Sequence, residues 1–207
     1  SGETLFITTG AEGELHVNNA GVQNADILLH NAMVHAVDAV IEPSYFLSDA
    51  LEDQGLTILN TLLEAMGLLE TLATPGAMTL FAPTDSALLA FLDVAGLELA
   101  DVLADTEGTT EGLLYHLTQG LYMASDLEDG MSLTMASGES LQVSHIGDSI
   151  YVANGMVVEA NFETDNGYLH IVDAVLMPPV EGCMDDTACN YDSEAVLDDG
   201  SCYSLDV

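Results

Sequence analysis

The chain of 207 residues contains no lysine and no arginine, although it contains 35 aspartate and glutamate residues and six histidines. A chain of ordinary composition would carry about two dozen basic side chains at this length. The formal net charge is −35, so charge repulsion excludes nucleic acid and anionic membrane surfaces as partners. The mutual repulsion of the carboxylates must be relieved by screening or by bound cations.

Long apolar runs are also missing. No stretch approaches the roughly eighteen residues that would cross a membrane, so we expect no membrane insertion. Hydrophobic residues nevertheless make up 49% of the chain, whereas disordered acidic segments have low hydrophobicity. This mixture predicts a folded protein with a carboxylate-rich surface. The absence of every trypsin-type cleavage site would suit a protein that lives outside the cell.

Recognisable catalytic motifs are absent as well. The sequence has no nucleophile elbow with a Ser-His-Asp order, no HExxH helix and no glycine-rich phosphate loop before a helix. Because there is no basic side chain to stabilise an oxyanion or a phosphate, many reaction classes lose their electrostatic partner. We therefore expect that the protein is not an enzyme.

What the sequence does contain is a repeat: residues 1–44 resemble residues 137–179. The first five residues correspond to 137–141, and residues 31–40 correspond to 166–175. About forty residues with short apolar runs cannot bury enough surface to offset their chain entropy. We expect other polypeptide to cover them, either upstream repeats of a longer chain or a neighbouring subunit.

Helices are predicted in the first part of the unit that follows, and strands in the second part. The predicted helices cover residues 49–70 with a break at Gly55, 86–91, 97–104 and 112–120. Residues 78–81 predict a short buried strand, and Thr84 or Asp85 can cap the helix after it. From Ser132 onward, the apolar residues alternate with a period of two, which indicates strands.

Three segments, in this order, resemble signatures of the fasciclin domain family. Residues 79–87, Thr-Leu-Phe-Ala-Pro-Thr-Asp-Ser-Ala, are similar to the first signature, and residues 166–178, from Asn-Gly-Tyr-Leu-His to Leu-Met-Pro, are similar to the second. Tyr115-His116 lies between them, where the family carries a Tyr-His pair.

The resemblance implies an α+β fold, a fasciclin-like β-sandwich or wedge with packed helices. It divides the chain into residues 1–44, the carboxyl-terminal half of a preceding fasciclin-like domain; residues 45–180, a complete domain; and residues 181–207, a small acidic tail with a disulfide. The first region would be a partial copy of the β-rich half of the second. In this family such domains serve extracellular adhesion or matrix interaction.

The resemblance also indicates candidate residues for adhesion contacts. The corresponding neighbourhood of animal relatives is linked to receptor contact, so Tyr115 and His116 are candidate adhesion contacts, against an alternative in which they are structural. For His170 and its copy His35 we favour a structural histidine over a metal ligand or base. A helix cap is likewise favoured over a ligand site for Thr84 and Asp85.

Residues 182–203 contain all three cysteines and resemble short acidic, cysteine-bearing repeats of secreted bacterial surface proteins. Three cysteines allow one disulfide in three alternative pairings and leave one thiol over. The pairing that we prefer is Cys183 with Cys202, which leaves Cys189.

The tail also has the oxygen-rich spacing of a calcium loop, because calcium takes six to eight oxygen ligands from alternating positions. It lacks the glycine and the terminal glutamate of an EF-hand. The alternative is a solvated acidic turn held by the disulfide. The candidate calcium ligands are Asp185, Asp186, Asn190, Asp192, Asp198 and Asp199.

Three functional hypotheses follow. The first is a segment of an extracellular, multi-domain fasciclin-repeat adhesin or filament protein of the cell surface. The second is a discrete secreted subunit that polymerises head to tail by completing its half-domain. The third is a module that binds calcium or another ligand. The expected partners are the polypeptide that covers residues 1–44 and a surface receptor or glycan.

Overall fold

A computed structural model describes residues 5–9, 13–18, 20–179, 181–191, 197–198 and 200–203. Within these residues the strands form three sheets. The amino-terminal region forms a four-stranded antiparallel sheet. Its strands, in spatial order, are β1 (Ile7–Thr9), β2 (Leu15–Val17), β3 (Ala20–Leu28) and β4 (Met33–Val37).

A layer of short helices follows, interrupted by one strand. The helices are α1 (Leu47–Asp53), α2 (Thr57–Ala65), α3 (Leu69–Leu72), α4 (Asp85–Ala95), α5 (Leu99–Ala104) and α6 (Thr106–Leu114), and a single 3-10 turn spans Ala124–Asp126. Gly55 separates α1 from α2 with a φ of +68°, which glycine adopts at no steric cost. The predicted break at this glycine is confirmed.

The second sheet has seven strands in the order β6-β5-β11-β10-β9-β8-β7. Only the β5–β11 pair within it is parallel. The strands are β5 (Met78–Pro83), β6 (Leu117–Gln119), β7 (Ser132–Thr134), β8 (Ser140–Ile146), β9 (Ser149–Val152), β10 (Gly155–Thr164) and β11 (Gly167–Val172). Because β5 lies between the helices in sequence and pairs with β11, it joins the helical part of the unit to the β-rich part.

Buried apolar side chains form two groups on either side of this central pair of strands. One group, between the helices and the sheet, includes Leu47, Leu51, Leu59, Leu63, Leu80 and Leu169. The other, among the antiparallel strands, includes Phe81, Tyr115, Leu133, Leu141, Val152 and Val172. Adjacent strand residues point to opposite faces, so neighbouring residues of β5 and of β11 supply different groups.

The predicted helix over residues 112–120 is wrong after Leu114, and the helix begins earlier than predicted, at Thr106. Helix α6 ends at Leu114, and β6 pairs antiparallel with β5, with Leu117 opposite Leu80 and Thr118 opposite Thr79. Pairing with a strand almost forty residues earlier decides the conformation here, and this long-range contact overrides the local helical pattern.

The amino-terminal sheet meets the helical layer through a small contact. The rings of Phe6 and Phe46 lie edge to face, with their centroids 5.1 Å apart. At the other end of the domain, the tail has a two-stranded parallel sheet of β12 (Glu181–Gly182) and β13 (Leu197–Asp198). This small sheet pairs two segments of the tail with each other.

Candidate functional site

Both residues of the Tyr115-His116 pair are buried in the core. The Tyr115 hydroxyl donates to the Ser140 carbonyl at 3.2 Å, and burial raises the pKa of this phenol. The Leu176 amide donates to His116 Nε2 at 2.9 Å, so the ring proton must be on Nδ1, which donates to the Gly112 carbonyl at 2.7 Å. A receptor contact made through these two side chains would require the core to open.

His116 is therefore held as a neutral imidazole. Burial lowers its pKa from 6.5 to about 4, because a charged ring would lose its hydration in this site. The neutral ring accepts a hydrogen bond from Leu176, beyond β11, and donates one to Gly112 in α6. It thus fastens the end of the second signature to the helical layer.

His170 is also fully buried and hydrogen-bonded at both ring nitrogens. Nδ1 accepts from the Asn161 amide at 3.4 Å, and Nε2 donates to the Tyr122 carbonyl at 2.8 Å. Burial lowers the pKa of this ring, and the ring stacks on Phe81 with centroids 5.4 Å apart. These contacts are those of a structural histidine.

The polar side chains of the first signature make hydrogen bonds at the ends of strands and helices. Thr79 Oγ1 donates to the Gly120 carbonyl and accepts from the Tyr122 amide. Thr84 Oγ1 accepts from the Ala87 amide at 3.1 Å, which confirms the predicted cap of α4. The Asp85 carboxylate accepts from the amide of Ile58 in α2 at 2.9 Å and so ties two helices together.

Asn166 has a structural role that no local sequence pattern predicts. Its side chain is fully buried, and its Oδ1 accepts from the Leu47 amide at 3.0 Å. Its Nδ2 donates to the carbonyls of Leu72 at 2.8 Å and Thr74 at 2.9 Å. One side chain of the β-rich part therefore holds the start of α1 and the end of α3. The available signal was the recurrence of asparagine at position 31.

The amino-terminal sheet repeats the hydrogen bonds of β10 and β11 at an offset of 135 residues. The Gly21 amide donates to Asp38 Oδ1 at 2.7 Å, as the Met156 amide donates to Asp173 Oδ1 at 2.8 Å. The Asp26 amide donates to Nδ1 of His35 at 3.2 Å, which matches the bond to His170.

Backbone irregularities recur at the same offset. Asn18 and Ala153 have φ of +51° and +48°, and Asp26 and Asn161 have φ of +57° and +63°. Residues other than glycine seldom adopt this left-handed region. The register of β3 with β4 shifts at two places, and the register of β10 with β11 shifts at the equivalent two. Two bulges at equivalent positions indicate that the two regions share a backbone structure, because each bulge bends a strand and changes the direction of its side chains.

The two regions differ in what covers them. Val34 is 41% exposed and its counterpart Leu169 is 0% exposed. Ile41 is 39% exposed, whereas Leu176 is 2% exposed. Exposed apolar side chains lie on both faces of the amino-terminal sheet, since the paired residues Ile27 and Val34 point to one face and the paired residues Leu28 and Met33 point to the other. We call the face that carries Ile27 and Val34 the open face, because the counterpart of Val34 is covered by the helices. The large exposed apolar side chains of this region are Leu5, Ile7, Leu15, Ile27, Leu28, Leu29, Met33, Val34, Val40 and Ile41.

In the tail, Cys183 is joined to Cys202, which is the pairing that we preferred, and Cys189 is an exposed thiol. Asp185 Oδ1 accepts from the amide and the hydroxyl of Thr187, and this lowers its pKa. The side-chain Oδ1 of Asn190 accepts from the Tyr203 amide. Of the other proposed calcium ligands, Asp192, Asp199 and the side chain of Asp198 lie outside the described residues.

The described residues contain neither a metal-binding cluster nor a membrane-spanning helix. No three histidine, cysteine or acidic side chains in these ranges lie where they could share a metal ion. None of the helices described here has the length and apolar character needed to cross a bilayer.

Comparison with known proteins identifies relatives along most of the chain. Human periostin is 29% identical over 178 residues, which cover 84% of this chain and 21% of periostin. Mouse stabilin-2 is 26% identical over 230 residues, or 98% of this chain and 9% of stabilin-2. The transforming growth factor-beta-induced protein ig-h3 of Oryctolagus cuniculus is 26% identical and is covered to 27% of its length. The chain thus spans only a small part of these relatives.

A solved structure gives the same architecture. The FAS1 domain pair of the insect cell adhesion molecule Fasciclin I superposes with a TM-score of 0.54 at 18% identity, over 84% of this chain and 67% of that one. The fold is therefore that of a FAS1 domain. The family model of the fasciclin domain matches residues 54–178, more than half of the chain. The protein belongs to the fasciclin domain family.

Proposed function

We propose that this chain is a segment of an extracellular, multi-domain fasciclin-repeat protein of the cell surface, in which the domains act as spacers and adhesion modules. The insect neighbour in structure is described as a cell adhesion molecule, and the family membership brings that kind of function to this chain. The absence of lysine and arginine, and so of every trypsin-type cleavage site, supports a location outside the cell, where a receptor or a glycan would be the adhesion partner.

The observation that carries the proposal is the repeat beside the complete domain. Residues 1–44 are proposed to be the carboxyl-terminal half of a preceding fasciclin domain, because β1 to β4 share hydrogen bonds, bulges and left-handed residues with β8 to β11. The alignment with periostin covers 84% of the chain. It cannot fit within residues 45–207 alone, so it includes part of the repeat.

A polymer of this chain alone fits less well. Each copy of residues 1–207 carries the β-rich half of a domain twice, whereas it carries the helical half once. Exchanging halves between copies leaves this ratio unchanged, so one β-rich half in every copy would stay uncovered. A repeat array supplies the missing half from the sequence before it, and we therefore favour the array over the head-to-tail polymer.

The location and the adhesive role can be tested together on the cells that make the protein. An antibody against the folded domain should label intact cells, and its Fab fragments should reduce attachment of the cells to a surface. Antibody detection suits this chain, because amine-reactive surface labels would find no lysine. Labelling of lysed cells only would contradict the proposed location, and unchanged attachment with saturating Fab would contradict adhesion.

A further inference from the structure

We propose that the free edge of β4 and the open face together bind an upstream segment of the same natural polypeptide, which resembles residues 45–136 of this chain. Its strand would lie parallel to β4, and its first helix would be held by Asn31. The inference rests on the proposed function, since it names the partner that a repeat array would supply to the amino-terminal sheet.

The complete domain shows how such an edge is used. The Met78 amide donates to the Asn166 carbonyl at 3.0 Å, and the Thr84 amide donates to the Val172 carbonyl at 3.1 Å. Alternate residues of a strand point their backbone groups to the same side. At the offset of 135 residues, the corresponding groups of β4 belong to Asn31, Met33, His35 and Val37. Within the described residues no strand pairs with this edge.

Asn31 is the clearest side-chain anchor on this edge. Its counterpart Asn166 makes three hydrogen bonds to the backbone of the helical layer. Asn31 is exposed and makes no hydrogen bond to the residues described. In the domain, the equivalent side chain accepts from the backbone amide at the start of α1 and donates to backbone carbonyls at and just after the end of α3. The repeat keeps the asparagine and lacks those partners.

His35 supplies a second anchor of the same kind. Its Nδ1 already accepts from the Asp26 amide, as Nδ1 of His170 accepts from Asn161. In His170 the opposite nitrogen donates to the carbonyl of Tyr122, which follows β6. The side chain of His35 is 48% exposed. In the proposed arrangement its Nε2 would donate to a carbonyl that follows the second strand of the upstream segment.

The exposed apolar residues of β4 lie at the positions that are covered in β11. All residues of β11 are buried or half-buried, whereas Met33, Val34 and His35 of β4 are exposed. Burial of such side chains contributes about 25 cal/mol per Å² of apolar surface, so a covering layer is strongly favoured. Segments with the leucine pattern of α1 and α2 would provide it, as they do over β11.

The amino-terminal sheet differs from the domain at one position that limits how closely an upstream strand can approach. A Cβ added at Gly167 would overlap the Met78 carbonyl oxygen, and position 32 carries an alanine. The upstream strand therefore cannot approach Ala32 as closely as β5 approaches Gly167. We expect parallel pairing along Val34–Val37, with a wider separation at the beginning of β4.

Hydrogen exchange measured by NMR tests this proposal with two proteins. One is the chain of 207 residues, and the other carries an additional copy of residues 45–136 joined before Ser1, as the sequence joins residue 136 to Ser137. The amides of His35 and Val37 should exchange at least about 100-fold more slowly in the extended protein. In the 207-residue protein they should stay fast at every protein concentration.

Each other outcome overturns the proposal in a different way. Fast exchange at His35 and Val37 in the extended protein would show that this kind of segment does not cover the edge. Slow exchange in the 207-residue protein at high concentration would assign the edge to a second copy of the chain. The substitution Asn31→Ala should lower the unfolding midpoint of the added domain in the extended protein and leave the 207-residue protein unchanged. Cell-surface labelling tests the proposed function independently.

Discussion

Asn166 connects the two parts of the complete domain, because its single buried side chain bonds Leu47, Leu72 and Thr74. Substitution Asn166→Ala would leave a buried amide and a buried carbonyl without partners. We expect a loss of about 2–4 kcal/mol in the free energy of unfolding, measured by urea denaturation. The matched variant Asn31→Ala, on the exposed copy, should change it by less than about 0.5 kcal/mol. Equal losses in both variants would contradict this role.

His116 makes stability depend on pH. Its folded-state pKa of about 4 lies below the ordinary value of 6.5, so the unfolded chain binds the proton first. Its stabilising contribution is complete above pH 6.5 and is lost as the pH falls toward 4, which amounts to about 3 kcal/mol. The measurement is the difference in unfolding free energy between the wild-type protein and His116→Gln.

That difference should shrink between pH 6.5 and 4, and the carboxylates cancel because both proteins carry the same ones. A constant difference would show that the ring titrates normally in the folded state. If His116→Gln does not fold, NMR titration of the His116 ring in the wild-type protein provides the same test, with an ordinary midpoint near 6.5 as the contradicting result.

For single residues, hydrogen bonds to nearby backbone could be predicted from the sequence, whereas hydrogen bonds to residues far away in the chain could not. The Thr84 cap acts on an amide three residues away, so its pattern lies within one turn of chain. Asn166 bonds Leu47 across 119 residues and Leu72 across 94. No local pattern encodes such pairs, although the repeated asparagine marked the position.

Among the elements, helix α4 depends on its cap. Thr84 Oγ1 accepts from the Ala87 amide at the first turn, and loss of such a cap costs about 1 kcal/mol. Thr84→Ala should therefore lower the unfolding free energy by about 1 kcal/mol in urea denaturation. Thr61→Ala is a suitable control, since Thr61 is exposed within α2, and its effect should stay below about 0.5 kcal/mol. A control effect as large as that of Thr84→Ala would remove the cap as the explanation.

The strands after Ser132 followed from period-two alternation, and helices α1 and α2 followed from apolar spacing. Helix α4 followed from its cap, and α5 followed from the helix-prone residues 97–104. Strand β6 did not, because Leu117–Gln119 gains its conformation from pairing with β5. The exposed amino-terminal sheet could be predicted as a repeat and as a region that needs cover. The positions of its bulges could not be predicted from the sequence, because a bulge is defined by how two strands pair.

The tail provides the test of the calcium prediction, which remains a proposal. If the acidic loop binds calcium, removal of the ion with EDTA should lower the melting temperature of the tail, followed by near-ultraviolet circular dichroism of its tyrosines, and added calcium should restore it. Magnesium at the same concentration is the control. Absence of any shift with EDTA would leave the disulfide Cys183–Cys202 as what holds this loop.

For the whole molecule, a fasciclin domain is flanked by a second sheet of the same kind and by a disulfide-linked tail. A net charge of −35 keeps such a molecule soluble and disfavours association between like-charged copies. In the proposed array, a free copy would have to cover the open face against this charge repulsion. A covalently continuous upstream segment offsets the repulsion through its high effective concentration, because the two parts are already joined.

The most direct test of the central claim is the intact mass of the natural protein, measured under denaturing and reducing conditions. Digestion at glutamate and aspartate gives sequence coverage, since trypsin has no site. The account predicts a chain much larger than 21.8 kDa, with a segment before Ser1 that resembles residues 45–136. A natural chain of 21.8 kDa that begins at Ser1 would contradict it.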